Sequence, residues 1–381
     1  MSDLHRFHHD ASLNERIAYA LAHAGFIAVR RAELLQTYGR DIQEAEALGN
    51  SVAAAQSPSD VDAALEGLRN RKVQREDQLA SGLNLDLYYE GFAESVPDFQ
   101  GEAAIGYDII AWTAMEYTAR TYGNVEILGE EDQFRPLQDG PTRRGEYLRK
   151  LLREGRRVAV VDPLDGSNQA RAMGMRSGWA TCAMVLGPQQ RTIAAAVYLG
   201  DGRTVVTAGD DGVWASEPAH PDRPTVAYRL DPLARQHPTF ARRHWTIPAA
   251  KAKTIEHAVA MIEASKNEQS EPPVSWVNPL AGNPGFVTSM LYAGAVAAMQ
   301  PESYAWDALG PYLVAVAGLP TISAESDEML TPEELSDMLI TDLMAGRRTM
   351  TLYSGRTLKD ARYLRSIDRA ATDARKRMGR A

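Results

Sequence analysis

The apolar run Val158-Ala159-Val160-Val161 leads straight into Asp162-Pro163-Leu164-Asp165-Gly166-Ser167. Such a short, β-branched run suits a buried strand, and Pro163 and Gly166 are expected to end it sharply. Whatever this chain folds into must therefore set two carboxylates at one rigid strand end. Hard cations take oxygen ligands, so two acids on one turn can hold a divalent metal and, through it, a phosphate. Taken alone, the same residues also suit an Asp-Pro and Asp-Gly surface turn. The rest of the chain decides between the two.

With 381 residues, 44% hydrophobic and 24% charged, the chain can build one large globular domain or two. Its net charge of -9 offers no general attraction for nucleic acid or an anionic membrane, and neither partner is expected. An anionic substrate would need metal to offset the repulsion. The single cysteine, Cys182, excludes an intrachain disulfide and cysteine-rich zinc sites, and its apolar setting reads as core. No run of 18 apolar residues occurs, and Met1 to Asp10 lacks the apolar stretch of a signal peptide, so a cytoplasmic address is expected. His8 and His9 could bind metal, but a frayed terminus explains them better.

Apolar positions from Asn14 to Tyr38 predict an amphipathic helix capped by Ser12 or Asn14. Residues 43 to 79 read as helical and peripheral, with a break at Ser57-Pro58-Ser59-Asp60. Residues 81 to 101, with Tyr88, Tyr89, Phe92 and Phe99, read as a lid, a loop or a dimer contact. Tyr107 to Tyr122 predicts a helix with Ile109, Ile110, Ala114 and Tyr117 inward and Asp108 near its start, stopped by Gly123-Asn124. Val125 to Leu128 predicts a strand ending at Gly129-Glu130-Glu131-Asp132. Thr181–Leu186, Thr192–Leu199 and Thr204–Ala208 read as an antiparallel meander.

Prolines and polar residues from His220 to Pro248 mark a boundary. It divides a half at 1–220, carrying a helical insert at about 36–103, from a half at 221–381. Ile255 to Ala264 predicts a helix, and Gly285 to Met299 a single buried one. Asp307 then heads the apolar helix Ala308 to Ala317, either as its N-cap or held there by a cation, and the two roles are compatible. Beyond Leu358 the basic residues suggest a solvated helix or tail.

Three acidic element ends thus stand in order: Gly129-Glu130-Glu131-Asp132, Asp162-Pro163-Leu164-Asp165-Gly166-Ser167-Asn168 and Trp306-Asp307. This set resembles the inositol monophosphatase and fructose-1,6-bisphosphatase superfamily of Mg²⁺-dependent, lithium-sensitive phosphatases. Its hallmark is Asp-Pro-(Ile/Leu)-Asp-Gly-(Thr/Ser), preceded by Gly-Glu-Glu and followed far downstream by Trp-Asp. The resemblance covers roughly residues 12 to 35 and 104 to 330. It implies a layered αβαβα sandwich of mixed α/β (α+β) class, with two or three Mg²⁺ per site between two halves, and a homodimer.

By the same resemblance, Glu130, Asp162 and the carbonyl of Leu164 would hold one metal, and Asp162, Asp165 and Asp307 a second. A third would rest on Glu130 near Asp108. Ser167 and Asp108 would orient the attacking water, and Glu131 would serve in proton relay. Gly166, Ser167 and Asn168 would bind phosphate oxygens at a helix start. Where the family continues Asn-Phe-x-x-Gly-x-Pro, this chain has Gln169 to Arg176 instead. Arg171 and Arg176 suit either a second phosphate or carboxylate, or a solvated role.

The expected activity is a phosphomonoesterase acting on a small phosphorylated polyol, sugar or nucleotide through metal-activated water. A 3′-phosphonucleotide or sugar-bisphosphate phosphatase is the variant that the two arginines favour. A catalytically inactive metal-binding scaffold is the rival from another class.

Overall fold

The computed structural model describes residues 12–38, 96–97, 103–104, 106–129, 140–166, 178–188, 193–207, 212–216, 227–231, 244–247, 252–267, 276–278 and 282–377. Helix α1, Leu13–Tyr38, opens with a capping box, in which Glu15 N–H donates to Ser12 Oγ at 3.3 Å and Ser12 N–H to Glu15 Oε2 at 2.6 Å. Ser12 is therefore the cap, and Asn14 instead accepts from Arg157 Nε at 2.9 Å. A two-residue hairpin, β1 (Val96–Pro97) with β2 (Ala103–Ala104), precedes helix α2, Gly106–Thr121. The expected helical segment at 43–79 lies outside the described residues, as does the segment 81–101 apart from β1.

Helix α2 buries Ile110, Ala111, Met115 and Ala119, a stripe at helical spacing, whereas Tyr117 is 51% exposed. Tyr117 was expected on the inward side. It lies about 200° around the helix from Met115, so it cannot share the face that meets the sheet. Gly123, at φ +74°, turns the chain into β3, Val125–Gly129.

Among the described residues, seven strands follow the order β3-β4-β5-β6-β7-β8-β9. β4 is Arg157–Asp165, β5 Ala180–Leu186, β6 Ala194–Leu199, β7 Thr204–Thr207, β8 Val213–Ser216 and β9 Ala227–Arg229. β3 and β4 are parallel and the remaining pairs antiparallel, which includes the expected meander. Alternate residues face opposite sides. Ala159, Val161, Ala183 and Val185 meet Ile17, Leu21, Trp112 and Met115 of α1 and α2. Val158, Val160, Cys182 and Met184 face the other way.

The second sheet runs β11-β10-β12-β14-β13, with β10 at His244–Thr246, β11 at Trp276–Asn278, β12 at Ala297–Gln300, β13 at Thr321–Ser323 and β14 at Leu352–Gly355. Between the sheets lie α3 (Gly140–Arg153), α5 (Gly282–Val287), a π-helical turn (Thr288–Ala293), α6 (Leu309–Val316) and α7 (Pro332–Ala345), in a core that also takes Ala298 and Leu352. On the far side, α4 (Ala252–Asn267) and α8 (Leu358–Arg377) cover Trp245, Ala297, Met299 and Tyr353. The layers are therefore helix, sheet, helix, sheet, helix, the αβαβα sandwich of mixed α/β class that was expected.

Two further readings are corrected. The segment Gly285 to Met299 is not one helix. Gly294 adopts a left-handed conformation at φ +72° that ends the π turn, and the small apolar residues beyond it form the central strand β12. Small apolar runs suit buried helix and buried strand equally; Gly294 ends the helical part, and pairing with β10 and β14 makes the rest a strand. The basic C-terminal segment is not merely solvated: α8 buries Ala361, Leu364, Ile367 and Ala371. Among the described residues, no helix is long and apolar enough to cross a membrane.

Candidate metal centre

β4 carries the central acids, and its backbone explains their arrangement. In a regular strand Asp162 and Asp165, three residues apart, would point to opposite faces. Here Asp162 pairs with Cys182 and Asp165 with Ala180, so β4 spends one residue more than β5 over this stretch. That β-bulge returns Asp165 to the face occupied by Asp162. Pro163, which has no N–H to lose, sits within it, and Leu164 N–H donates to Asp162 Oδ1 at 3.1 Å. The strand thus runs through Pro163 to Asp165, not stopping where the proline suggested, and Gly166 turns it at φ +88°.

Asp307 arrives from the other sheet. After β12 the chain makes a 3-10 turn, Ala305–Ala308, with Tyr304 as its N-cap. Asp307 is not the cap but the third residue of the turn, and its Oδ2 accepts from Tyr304 N–H at 3.3 Å. The Tyr304 ring stacks on buried Trp306 at 4.8 Å, which fixes the turn's attitude. Carboxylate oxygens of Asp162, Asp165 and Asp307 then lie within 4.8 Å of one another. Asp162 and Asp165 are 2% and 8% exposed.

Burial first, and the nearby charge of Asp307 second, push the Asp165 carboxyl well above the usual carboxylate range, while hydrogen bonds from Asn283 and Gly166 oppose the rise. Burial chiefly, with Asp165 and Asp162 adding to it, also pushes the Cys182 thiol up, in keeping with its reading as a core residue. Three crowded oxygen acids form a donor set that fits a hard divalent cation such as Mg²⁺.

Asp108 is buried, 4% exposed, in the first turn of α2. Only Tyr122 to Asn124 join α2 to β3, so the helix runs back along that strand and its first turn lies at the strand ends. Asp108 is nevertheless not part of the three-carboxylate group. Gly129, the last residue of β3, pairs there with Val161, the residue before Asp162. A Cβ on Gly129 would fall 2.2 Å from Val161 O and 3.0 Å from the Trp112 ring, so only glycine allows this approach. Of the other expected site residues, Glu130, Glu131, Ser167, Asn168, Arg171 and Arg176 lie outside the described residues, while Leu164 and Gly166 stand on the bulged turn.

Sequence reasoning missed Gly282 and Asn283. Asn283 N–H donates to Asp165 Oδ2 at 2.6 Å, and a Cβ on Gly282 would fall 2.1 Å from Asp165 Oδ1. The signal that could have found them is Gly282-Asn283-Pro284, a polar residue and a proline opening a helix.

No family model and no curated protein matches the chain. Among solved structures it is similar to CysQ from Bacteroides thetaiotaomicron, described as a bacterial member of the inositol monophosphatase family. Identity is 12%, coverage is 71% of this chain and 92% of that one, and the TM-score is 0.44. Staphylococcal IMPase-II gives 16% identity, coverage of 80% and 93%, and a TM-score of 0.44. The extragenic suppressor protein suhB from Bartonella henselae gives 12%, 75% and 93%, and 0.42. What the chain is similar to is thus a group of solved structures that includes a described member of the inositol monophosphatase family.

Proposed function

We propose that the chain is a Mg²⁺-dependent phosphomonoesterase of the inositol monophosphatase type. The observation that carries this reading is the meeting of Asp162 and Asp165, on β4, with Asp307, in the turn after β12, within 4.8 Å. Carboxylates set that close, two of them buried and the third half-buried, are costly unless a cation is shared among them. Bound Mg²⁺ supplies a Lewis acid for phosphate oxygens and lowers the pKa of water at the site. Asp162 and Asp165 on the bulge of β4 would hold it from one side and Asp307, in the turn after β12, from the other, with the Leu164 carbonyl on the bulged turn.

The order of Gly-Glu-Glu, Asp-Pro-Leu-Asp-Gly-Ser and Trp-Asp in the sequence supports the same reading. In it Glu130 completes the metal ligands, Asp108 and Ser167 orient the water, and Glu131 relays a proton. Gly166, Ser167 and Asn168 hold phosphate oxygens, and Arg171 and Arg176 face the rest of the substrate. That substrate is a small phosphorylated polyol, sugar or nucleotide.

The test is phosphate release with Mg²⁺ across inositol phosphates, sugar mono- and bisphosphates and 3′-phosphonucleotides. Mg²⁺-dependent release from at least one class is expected. Release from none, by protein that binds the cation, would favour the inactive scaffold.

A further inference from the structure

We propose that Asn283 is a positioning residue that locks Asp165 and Asp307 into one cation-binding geometry; this rests on the metal reading above. Its backbone N–H donates to Asp165 Oδ2 at 2.6 Å. Its side chain reaches the other acid's turn from both ends. Nδ2 donates to Trp306 O, immediately before Asp307, at 2.7 Å, and Oδ1 accepts from Gly310 N–H, three residues beyond Asp307, at 2.6 Å. One amide thus brackets Asp307 while its own backbone holds Asp165.

The fit suits an amide. The turn offers a carbonyl on one side and an N–H on the other, so an amide satisfies both in a single orientation. A carboxylate would set oxygen against the Trp306 carbonyl, and a longer side chain has no room, because Asn283 is fully buried. Neighbours are equally close: a Cβ on Gly310 would fall 2.9 Å from Phe286 Cβ and 3.4 Å from Asn283 Oδ1. Asn283 is therefore fixed from every side. Two like-charged acids pushed together need such a rigid frame to keep their spacing in the absence of a cation.

The experiment measures Mn²⁺ binding by electron paramagnetic resonance on the full chain, beside thermal melting. Asn283→Ala is compared with Asn14→Ala, which removes another buried asparagine, one that bonds Arg157. Asn283→Ala should weaken binding of one Mn²⁺ by about 10- to 100-fold, the usual effect of losing a group that orients a ligand. Asn14→Ala should leave Mn²⁺ affinity as in the wild type even where it melts as early. If Asn283→Ala does not fold, Asn283→Ser replaces it, since serine keeps the N–H to Asp165 but cannot span Trp306 O and Gly310 N. Wild-type affinity in the folded Asn283 variant overturns the positioning role and leaves the metal centre standing. No Mn²⁺ binding by the wild type overturns both.

Discussion

Asp165 on the bulged end of β4 and Asp307 in the 3-10 turn after β12 present carboxylate oxygens within 4.8 Å of each other, one acid at a strand end of the first sheet and the other in a turn that follows the second. The pair sets two like-charged acids against each other, a repulsion that the fold must withstand. Its energetics can therefore be read out in stability as well as in activity.

Asp165→Asn should stabilise the cation-free protein. The substitution keeps shape and an oxygen to accept from Asn283 N–H, but removes a buried charge facing Asp307. A gain of about 1–3 kcal/mol, or roughly 2–6 °C in melting temperature, is expected. The rise in melting temperature that Mg²⁺ gives the wild type should vanish. Scanning fluorimetry with EDTA and with Mg²⁺ checks both, and a variant that melts earlier in EDTA would contradict the strained-pair account.

Stability should depend on pH in opposite senses without and with the cation. The folded carboxyl of Asp165 titrates above its unfolded value, near 3.9, so the folded state binds the extra proton between the two values. Its contribution is full below the unfolded value and is lost as pH rises through the folded one. In EDTA, melting temperature should thus fall over that window. Saturating Mg²⁺, which needs the deprotonated ligands, should stabilise more as pH rises.

Asp162→Asn should cut Mg²⁺-dependent phosphate release at least about 100-fold while leaving the far-ultraviolet spectrum unchanged. Asp162 is the acid that pairs with Cys182 before the bulge, and its Oδ1 also holds Leu164 N–H. An amide oxygen retains that hydrogen bond, so the loss isolates the charge. Full activity would sink the assignment of Asp162 as a ligand.

Gly129→Ala and Gly123→Ala should separate close approach from backbone conformation. A Cβ at 129 meets the Val161 carbonyl at 2.2 Å and must push β3 from β4, costing about 2–4 kcal/mol and most of the activity. At 123, φ is +74° and nothing lies within 4 Å, so about 1 kcal/mol and unchanged activity are expected. Urea titrations and phosphate release distinguish them.

Asp368→Ala should destabilise by about 2–3 kcal/mol without touching activity. Asp368 takes the Tyr353 hydroxyl and His257 Nε2, each at 2.5 Å, joining β14, α8 and α4 in the outer layer. Burial, and then the Asp368 charge, push the Tyr353 hydroxyl up, so it stays protonated and donating. Truncation leaves it unpaired where it is 1% exposed. Denaturation monitored alongside phosphate release checks the split.

The sequence alone settled what local physics settles. The run Val158 to Val161 is a strand because β-branched side chains suit a surface buried on both faces. A helix starts at Ser12 or Asn14 because a short polar side chain there can satisfy its first N–H groups, and Gly123 stops another. The ordered acids named a chemistry. Tertiary structure decided the rest. Whether Asp162 and Asp165 share a face depends on one extra residue that only pairing with β5 reveals. Whether Ala297–Gln300 is strand or helix depends on its seat between β10 and β14. For Asn283 the local signal, Gly282-Asn283-Pro284, marks a helix start and nothing more, because its partners, Asp165, Trp306 and Gly310, are distant in sequence and become neighbours only when the two sheets close over the middle layer.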